Sequence, residues 1–349
     1  MRARQAPSLA ALLLVALPLA GCRKSLPATD CTASPPTAPG QSVCTVPGWD
    51  NRAFILHLPP SFDGKTKLPL VVALHGGGGR KEGMNPLTCE DGDESKPSCL
   101  FSGADERGMI LVVPDGTESK LNARTWNAGG GADGTTCLDA CQKGVDDIAY
   151  VHDLLDEVRA LVPVDDARVF FTGFSDGASM SNRIACEMAD QVSAIAPVGG
   201  ANQFAFGGGT CAPSRPVAVL HTHGEADPCW PFTGGHGTCP GQPEGTYADV
   251  QGSVVGTADH PGWARRNGCA MVDAPAMEAL PDGADDGTSA IEARFSGCEA
   301  DVRLIKVMGA GHTWPGGNQY LGETIVGKVS RDFSATEVVL DFFAAQPPR

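Results

Sequence analysis

The stretch "FTGFSDGASM", residues 171–180, sets Ser175 between Gly173 and Gly177. With 44 glycines in 349 residues, a G-x-S-x-G match needs support from its surroundings. The required context is a strand before the serine and a helix after it, so that the hydroxyl stands on a tight turn above a sheet. Here "ARVFF" at 167–171 leads in and the helical pattern "GASMSNRIACEMA" at 177–189 leads out. Glycine at 173 and 177 then has a steric reason, because a side chain at either place would crowd the turn against neighbouring elements.

The same grammar extends along the chain. "RAFILHLP" (52–59), "LPLVVALHG" (68–76), "GMILVVPDG" (108–116), "VSAIAPVGG" (192–200), "RPVAVLHTHG" (215–224) and "VRLIKVMGAGH" (302–312) are short apolar runs stopped by Gly, Pro or polar clusters. Several are apolar nearly throughout, as expected of parallel strands covered on both faces. Between them "VDDIAYVHDLLDEVRALV" (145–162) spaces Val145, Ile148, Ala149, Val151 or His152, Leu155, Val158 and Leu161 or Val162 as a helix, with Asp146 and Asp147 in its first turn. "SATEVVLDFFAAQPPR" (334–349) opens with the capping-box pair Ser334 and Glu337. Strands alternating with helices predict an α/β fold with a doubly wound, mostly parallel sheet. "NPLTCEDGDESKPSC" (85–99) and "ALPDGADDGTSA" (279–290) read as solvated acidic loop insertions without the ligand spacing of a calcium loop.

Arg2 and Arg4, the apolar run "LAALLLVALPL" and then "AGC" form an export signal over residues 1–21. "LAGC" resembles a lipobox, which makes Cys22 the expected lipidated first residue, so that the membrane is met only through an N-terminal anchor. Residues 22–43 are rich in Pro, Ala, Thr and Ser and read as a tether, with the folded domain expected over 44–349.

Twelve further cysteines, an even number in an exported chain, imply up to six disulfides. Connectivity is not fixed by sequence. Close neighbours favour Cys31 with Cys44, Cys89 with Cys99, Cys137 with Cys141 and Cys229 with Cys239, leaving Cys186 with Cys211 and Cys269 with Cys298. A net charge of −15, from 26 basic against 41 acidic residues, repels phosphate backbones and disfavours nucleic acid as a partner. Removing the signal leaves 328 residues, enough for one large domain, expected to be a monomer.

A serine hydroxyl becomes a useful nucleophile when a histidine takes its proton and a carboxylate holds that histidine. In the order Ser, acid, His, the loop after "RPVAVLHTHG" supplies Asp227 and the loop after "VRLIKVM" supplies His312. Glu225 is the alternative acid, disfavoured because catalytic groups lie beyond the carboxyl end of a strand. The backbone N–H of Asp176 is one expected oxyanion donor. "ALHGGGG" supplies the second from Gly76 or Gly77, with His75 orienting the loop. His221 and His223 form an H-x-H pair, with His236 or His260 as a third metal ligand, but no spacing supports a zinc site and no metal is expected. His152 lies in a helical pattern and reads as structural.

"HGGGG", "GFSDGASM", "HGEADPCWPF" and "GAGHTWPGG", in this order, resemble exported esterases of the polyhydroxybutyrate depolymerase, LpqC-type and feruloyl esterase group, with acetylxylan esterases as relatives. The resemblance runs from about Arg52 to the C-terminal helix. It implies an α/β-hydrolase fold, carboxylic-ester hydrolysis without a cofactor, and the triad Ser175, Asp227 and His312. "TWNAGGG" with Cys137 and Cys141 matches the group's substrate-side loop, where Trp126 is a candidate for lining the site or for packing. Trp230 and Trp314 are further candidate substrate contacts. Cys229 and Trp230 depart from the group's aliphatic residue before the acid-loop proline, which bears on pocket shape. No segment is left over for a polymer-binding module, which points to soluble esters or oligomers, hydroxyalkanoate or plant-polysaccharide in kind. A non-catalytic binding lipoprotein is the alternative of a different class, since fold does not dictate function.

Overall fold

The apolar runs fold as one sheet whose order is read in a computed structural model describing residues 31, 34–49, 52–119, 123–129, 137–239 and 245–349. Its strands are β1 Gly40–Thr45, β2 Ala53–Leu58, β3 Leu68–Leu74, β4 Ile110–Pro114, β5 Val164–Phe174, β6 Ala194–Val198, β7 Ala218–Gly224, β8 Ala276–Ala279, β9 Ser289–Arg294 and β10 Val302–Met308. They lie in the order β1-β2-β4-β3-β5-β6-β7-β10-β9-β8. From β4 through β3, β5, β6 and β7 to β10 every pairing is parallel. The outer pairs are antiparallel. All seven apolar runs of the sequence are strands of this sheet.

Helices cover both faces, as continuous apolar strands require. Alternate residues serve opposite sides: Leu70, Val72 and Leu74 of β3 join one core, and Val71 and Ala73 join the other. The first core is closed by α3, Asp147–Leu161, and α4, Asp176–Glu187, through Tyr150, Leu154, Met180 and Ile184. The second is closed by α1, Lys81–Thr88, α2, Leu100–Glu106, and α5, Ala335–Ala345. There Phe343 stacks on Phe170 of β5 with centroids 4.8 Å apart. Full burial of a side chain of this size contributes about 1.5–3 kcal/mol. Ser334 caps α5 by accepting from the Glu337 N–H, as its sequence pattern predicts.

Several expectations change. Gly40 to Val43, read as tether, form β1 and pair with Leu58 through Ile55. The export signal, Cys22 and the tether residues 23–30, 32 and 33 lie outside the described residues. The α3 stripe is shifted, because the Asp146 carboxylate accepts from the Ala149 N–H and starts the helix at Asp147; Tyr150 and Leu154 face the core, and Val145 precedes the helix. In 85–99, Asn85 to Thr88 belong to α1, and the buried Asn85 side chain accepts from the Phe101 N–H. In 279–290 the chain turns between β8 and β9. Of its three acids Asp282 and Asp285 are exposed, as expected of a solvated loop, whereas the Asp286 carboxylate accepts from the N–H groups of Thr288 and Arg331.

The six disulfides pair Cys31 with Cys44, Cys89 with Cys99, Cys137 with Cys141, Cys186 with Cys211, Cys229 with Cys239 and Cys269 with Cys298. Six such bonds fit an oxidising, exported setting. No helix among the described residues is long and apolar enough to cross a membrane.

Candidate active site

Parallel strands bring their carboxyl ends to one edge, and that edge collects the candidate residues. His75, Gly76 and Gly77 follow β3, Ser175 follows β5, Gly199 and Gly200 follow β6, Asp227 follows β7 and His312 follows β10.

Ser175 stands at φ 56° and ψ −117°, a left-handed conformation that an ordinary residue adopts only under constraint. The constraint is close packing. A Cβ on Gly173 would lie 2.5 Å from the Gly177 backbone, and one on Gly177 would lie 2.3 Å from the Leu74 oxygen. Both glycines of the motif are therefore required by backbone approach. The Ser175 N–H donates to the Val198 oxygen at 2.9 Å, and a Cβ on Gly200 would meet the Ser175 oxygen at 2.1 Å. β6 thus holds the turn from the side.

His312 is buried, and its Nδ1 lies 2.7 Å from Asp227 Oδ2. A proton on Nδ1 serves the carboxylate, which leaves Nε2 as the acceptor of that ring. The ring packs on Phe174, the residue before Ser175, with centroids 4.7 Å apart. A Cβ on Gly199 would lie 3.6 Å from His312 Cε1, which sets the ring beside the β6 end that also holds Ser175. Tyr320, which no motif signalled, donates its hydroxyl to the His312 carbonyl oxygen at 3.1 Å.

Asp227 is surrounded by donors. Its Oδ1 accepts from the N–H groups of Cys229 and Trp230, each at 2.7 Å, and His223 Nε2 lies 3.3 Å from Oδ2. Burial alone would raise this carboxyl. The neighbouring His312 and the hydrogen bonds from His223 and His312 outweigh it and hold the pKa at about 2. Glu225, the alternative acid, is exposed and pairs with Lys306 at 3.6 Å.

The H-x-H pair is buried behind this acid. His223 Nε2 donates to the Trp230 oxygen at 2.8 Å and its Nδ1 faces His221 Nε2 at 3.2 Å, whereas His236 and His260 are exposed. Burial, and then His223, push His221 well below the ordinary histidine range. Asp227, Cys229 and His312 converge as a metal cluster would, but the Cys229 sulfur is bound in a disulfide.

The glycine loop is also fixed. His75 Nε2 accepts from the Gly116 N–H at 3.0 Å, so its proton sits on Nδ1, which points at the Gly76 oxygen at 2.8 Å. Burial lowers His75 to about 4, leaving it neutral. The N–H groups of Gly78 and Gly79 donate to the Arg124 and Gly76 oxygens. Those of Gly76 and Gly77 have no such acceptor among the described residues.

The three tryptophans expected at the substrate are all enclosed. Trp126 and Trp314 are fully buried and Trp230 nearly so. Their indole N–H groups donate to the His75 oxygen, Thr336 Oγ1 and the Ala248 oxygen, respectively. The indoles tie their loops to neighbouring segments, Trp126 to the glycine loop, Trp314 to α5 and Trp230 to the segment at Ala248. Arg52, also unsignalled in sequence, lies beneath Trp126, with its guanidinium over the Tyr150 ring and paired with the buried Asp147. A cleft of about 750 Å³ bordered by Asn202, Phe206, Asp249, His260 and Arg266 contains none of Ser175, Asp227 or His312.

A strand, tight turn and helix presenting a serine above a mostly parallel sheet define an α/β-hydrolase. No family model matches the chain. A protein named esterase NocK, from Nocardia uniformis subsp. tsuyamanensis, is 29% identical over 294 residues, covering 83% of this chain and 78% of its own length. Feruloyl esterase B of Piromyces equi is 28% identical over 62% of this chain and 36% of its own length. Feruloyl esterase C of Emericella nidulans is 26% identical over 75% and 77%. Among solved structures, an acetyl xylan esterase from Aspergillus awamori matches with a TM-score of 0.49 and 17% identity, covering 75% of this chain and 89% of that one. The fold is that of the α/β-hydrolases, these relatives are named as esterases, and the chain is a carboxylic ester hydrolase.

Proposed function

We propose that this protein is an exported serine esterase that releases feruloyl or acetyl groups from plant-polysaccharide esters through an acyl-enzyme. The observation that carries the reading is the His312 to Asp227 contact of 2.7 Å beside a serine held at φ 56°. Ser175 Oγ attacks the ester carbonyl while His312 Nε2 takes its proton. Asp227 holds the Nδ1–H tautomer and stabilises the imidazolium. The N–H of Asp176 and that of Gly76 or Gly77 receive the developing oxyanion. His312 then protonates the leaving alkoxide, and water repeats the sequence to free the acid.

The relatives' names support feruloyl esters, and short hydroxybutyrate oligomers remain the second substrate class, on the motif resemblance alone. Cys22 is the proposed lipid anchor. The test is hydrolysis of methyl ferulate, acetylated xylan and hydroxybutyrate oligomers by wild type and Ser175→Ala. Methyl ferulate cleavage that falls by at least about 10³-fold in the variant is expected. Wild-type turnover by Ser175→Ala overturns the mechanism, and preference for hydroxybutyrate oligomers overturns the substrate class.

A further inference from the structure

The oxyanion site proposed above has two halves on different segments, the glycine loop after β3 and the first residue of α4. Such a site stabilises charge only when its donors are held in place before the reaction, since reorganisation at that moment costs rate. What holds the halves in register is therefore a question the geometry can answer.

One residue touches both. Trp126 donates its indole N–H to the His75 oxygen at 2.9 Å, and its main-chain N–H donates to Asp176 Oδ2 at 2.7 Å. The His75 carbonyl and the Gly76 N–H belong to one peptide unit, which is planar and trans. Fixing the carbonyl on one side fixes the direction of the N–H on the other. The same carbonyl is backed by α4, because a Cβ on Gly177 would lie 2.6 Å from it. Accepting a hydrogen bond also polarises that peptide, which strengthens its N–H as a donor.

Trp126 is itself immobilised. Its ring lies 5.1 Å from His75 and 5.2 Å from the Arg52 guanidinium, and the next residue, Asn127, donates its N–H to the buried Asp147 and gives its carbonyl to Arg183. The preceding Arg124 accepts from the Gly78 N–H at 2.8 Å, so the segment before the indole also grips the glycine loop.

We infer that Trp126 is a positioning residue that clamps the two halves of the oxyanion site, through its indole to the His75–Gly76 peptide and through its main chain to Asp176. This rests on the serine-esterase reading, and the experiment keeps the two apart. Hydrolysis of 4-nitrophenyl acetate is measured for wild type, Ser175→Ala, Trp126→Phe, Asp176→Ala and Asp176→Asn, with thermal unfolding as a control. Loss of turnover in Ser175→Ala tests the reading itself; wild-type turnover there sinks it regardless of the other variants.

Trp126→Phe keeps an aromatic ring but loses the indole N–H together with the second fused ring, and the thermal-unfolding control reads the cost of that lost volume. Its kcat should fall roughly 10- to 100-fold with KM changed less than about threefold, because a mispositioned donor weakens the transition state more than the bound ester. Asp176→Ala should fall similarly, and Asp176→Asn, which keeps an acceptor oxygen, should lose less, recovering at least about fivefold of what Asp176→Ala loses. Should Trp126→Phe not fold, the Asp176→Ala and Asp176→Asn pair carries the test. An unchanged kcat in Trp126→Phe, a rise in KM alone, or equal losses in both Asp176 variants overturns the inference.

Discussion

Two buried carboxylates flank the candidate nucleophile, and their surroundings set them to opposite states. Asp227, on the loop after β7, accepts from two backbone N–H groups and faces two histidines; it is held at about 2. Asp176, at the start of α4, is pushed up to about 8 by burial first and by Asp147; only the Trp126 N–H opposes. The same side chain at similar burial is thus an anion in one loop and a largely neutral acid in the other at neutral pH. At similar depth, the charge of the neighbours and the donors they bring decide the state of a buried acid. In the proposed mechanism the charged one faces the histidine that becomes cationic, and the neutral one sits beside the oxyanion, where a second negative charge would oppose it.

The comparison breaks most visibly at Asp227. Asp227→Asn removes the anion and the preference for the Nδ1–H tautomer of His312, and kcat should fall on the order of 10³- to 10⁴-fold with little change in KM, measured by steady-state ester hydrolysis. Equal activity in this variant would show that His312 works without it. The smaller effect is on stability. A carboxyl raised from 3.8 to about 8 keeps its proton in the folded state while the unfolded chain has lost it, so stability falls as pH rises through that window. Asp227, lowered from 3.8 to about 2, has the opposite slope: its contribution is complete above about 4 and is lost as pH falls towards 2. Asp176→Asn should therefore gain on wild type between pH 4 and 8, by at most about 1.4 kcal/mol per pH unit, read from urea unfolding across that range. A flat difference would place Asp176 among ordinary ionised acids.

What sequence could show divides along the same line between local and tertiary causes. The elbow was legible because strand, glycine, serine and helix are contiguous, and the steric demand on Gly173 and Gly177 follows from that local turn. The seven central strands were legible because burial on both faces makes their runs apolar. Strand β8 was not: Ala276 to Ala279 is exposed throughout, on the edge of the sheet, and carries no alternation to read. Four disulfide pairs were legible as short loops, which is where the chain brings cysteines together most easily, and Cys186–Cys211 and Cys269–Cys298 followed only as the remainder. Trp230 and Trp314 read in sequence as substrate contacts and Trp126 stays open there between lining and packing, because an aromatic residue in a loop near a site has the same signature whether it meets ligand or core. Only the partners of its N–H, such as the His75 oxygen for Trp126, distinguish the two. The neutral state of Asp176 was likewise hidden, since it depends on burial and on the nearby Asp147, against a single donor from Trp126.

The most direct test of the central claim is mass spectrometry after treatment with a fluorophosphonate, which forms a stable adduct only with a serine activated by its neighbours. The account predicts a single adduct on the peptide containing Ser175, formed slowly or not at all in Asp227→Asn and absent in Ser175→Ala. No adduct on the folded wild-type protein, or an adduct on another serine, would contradict it.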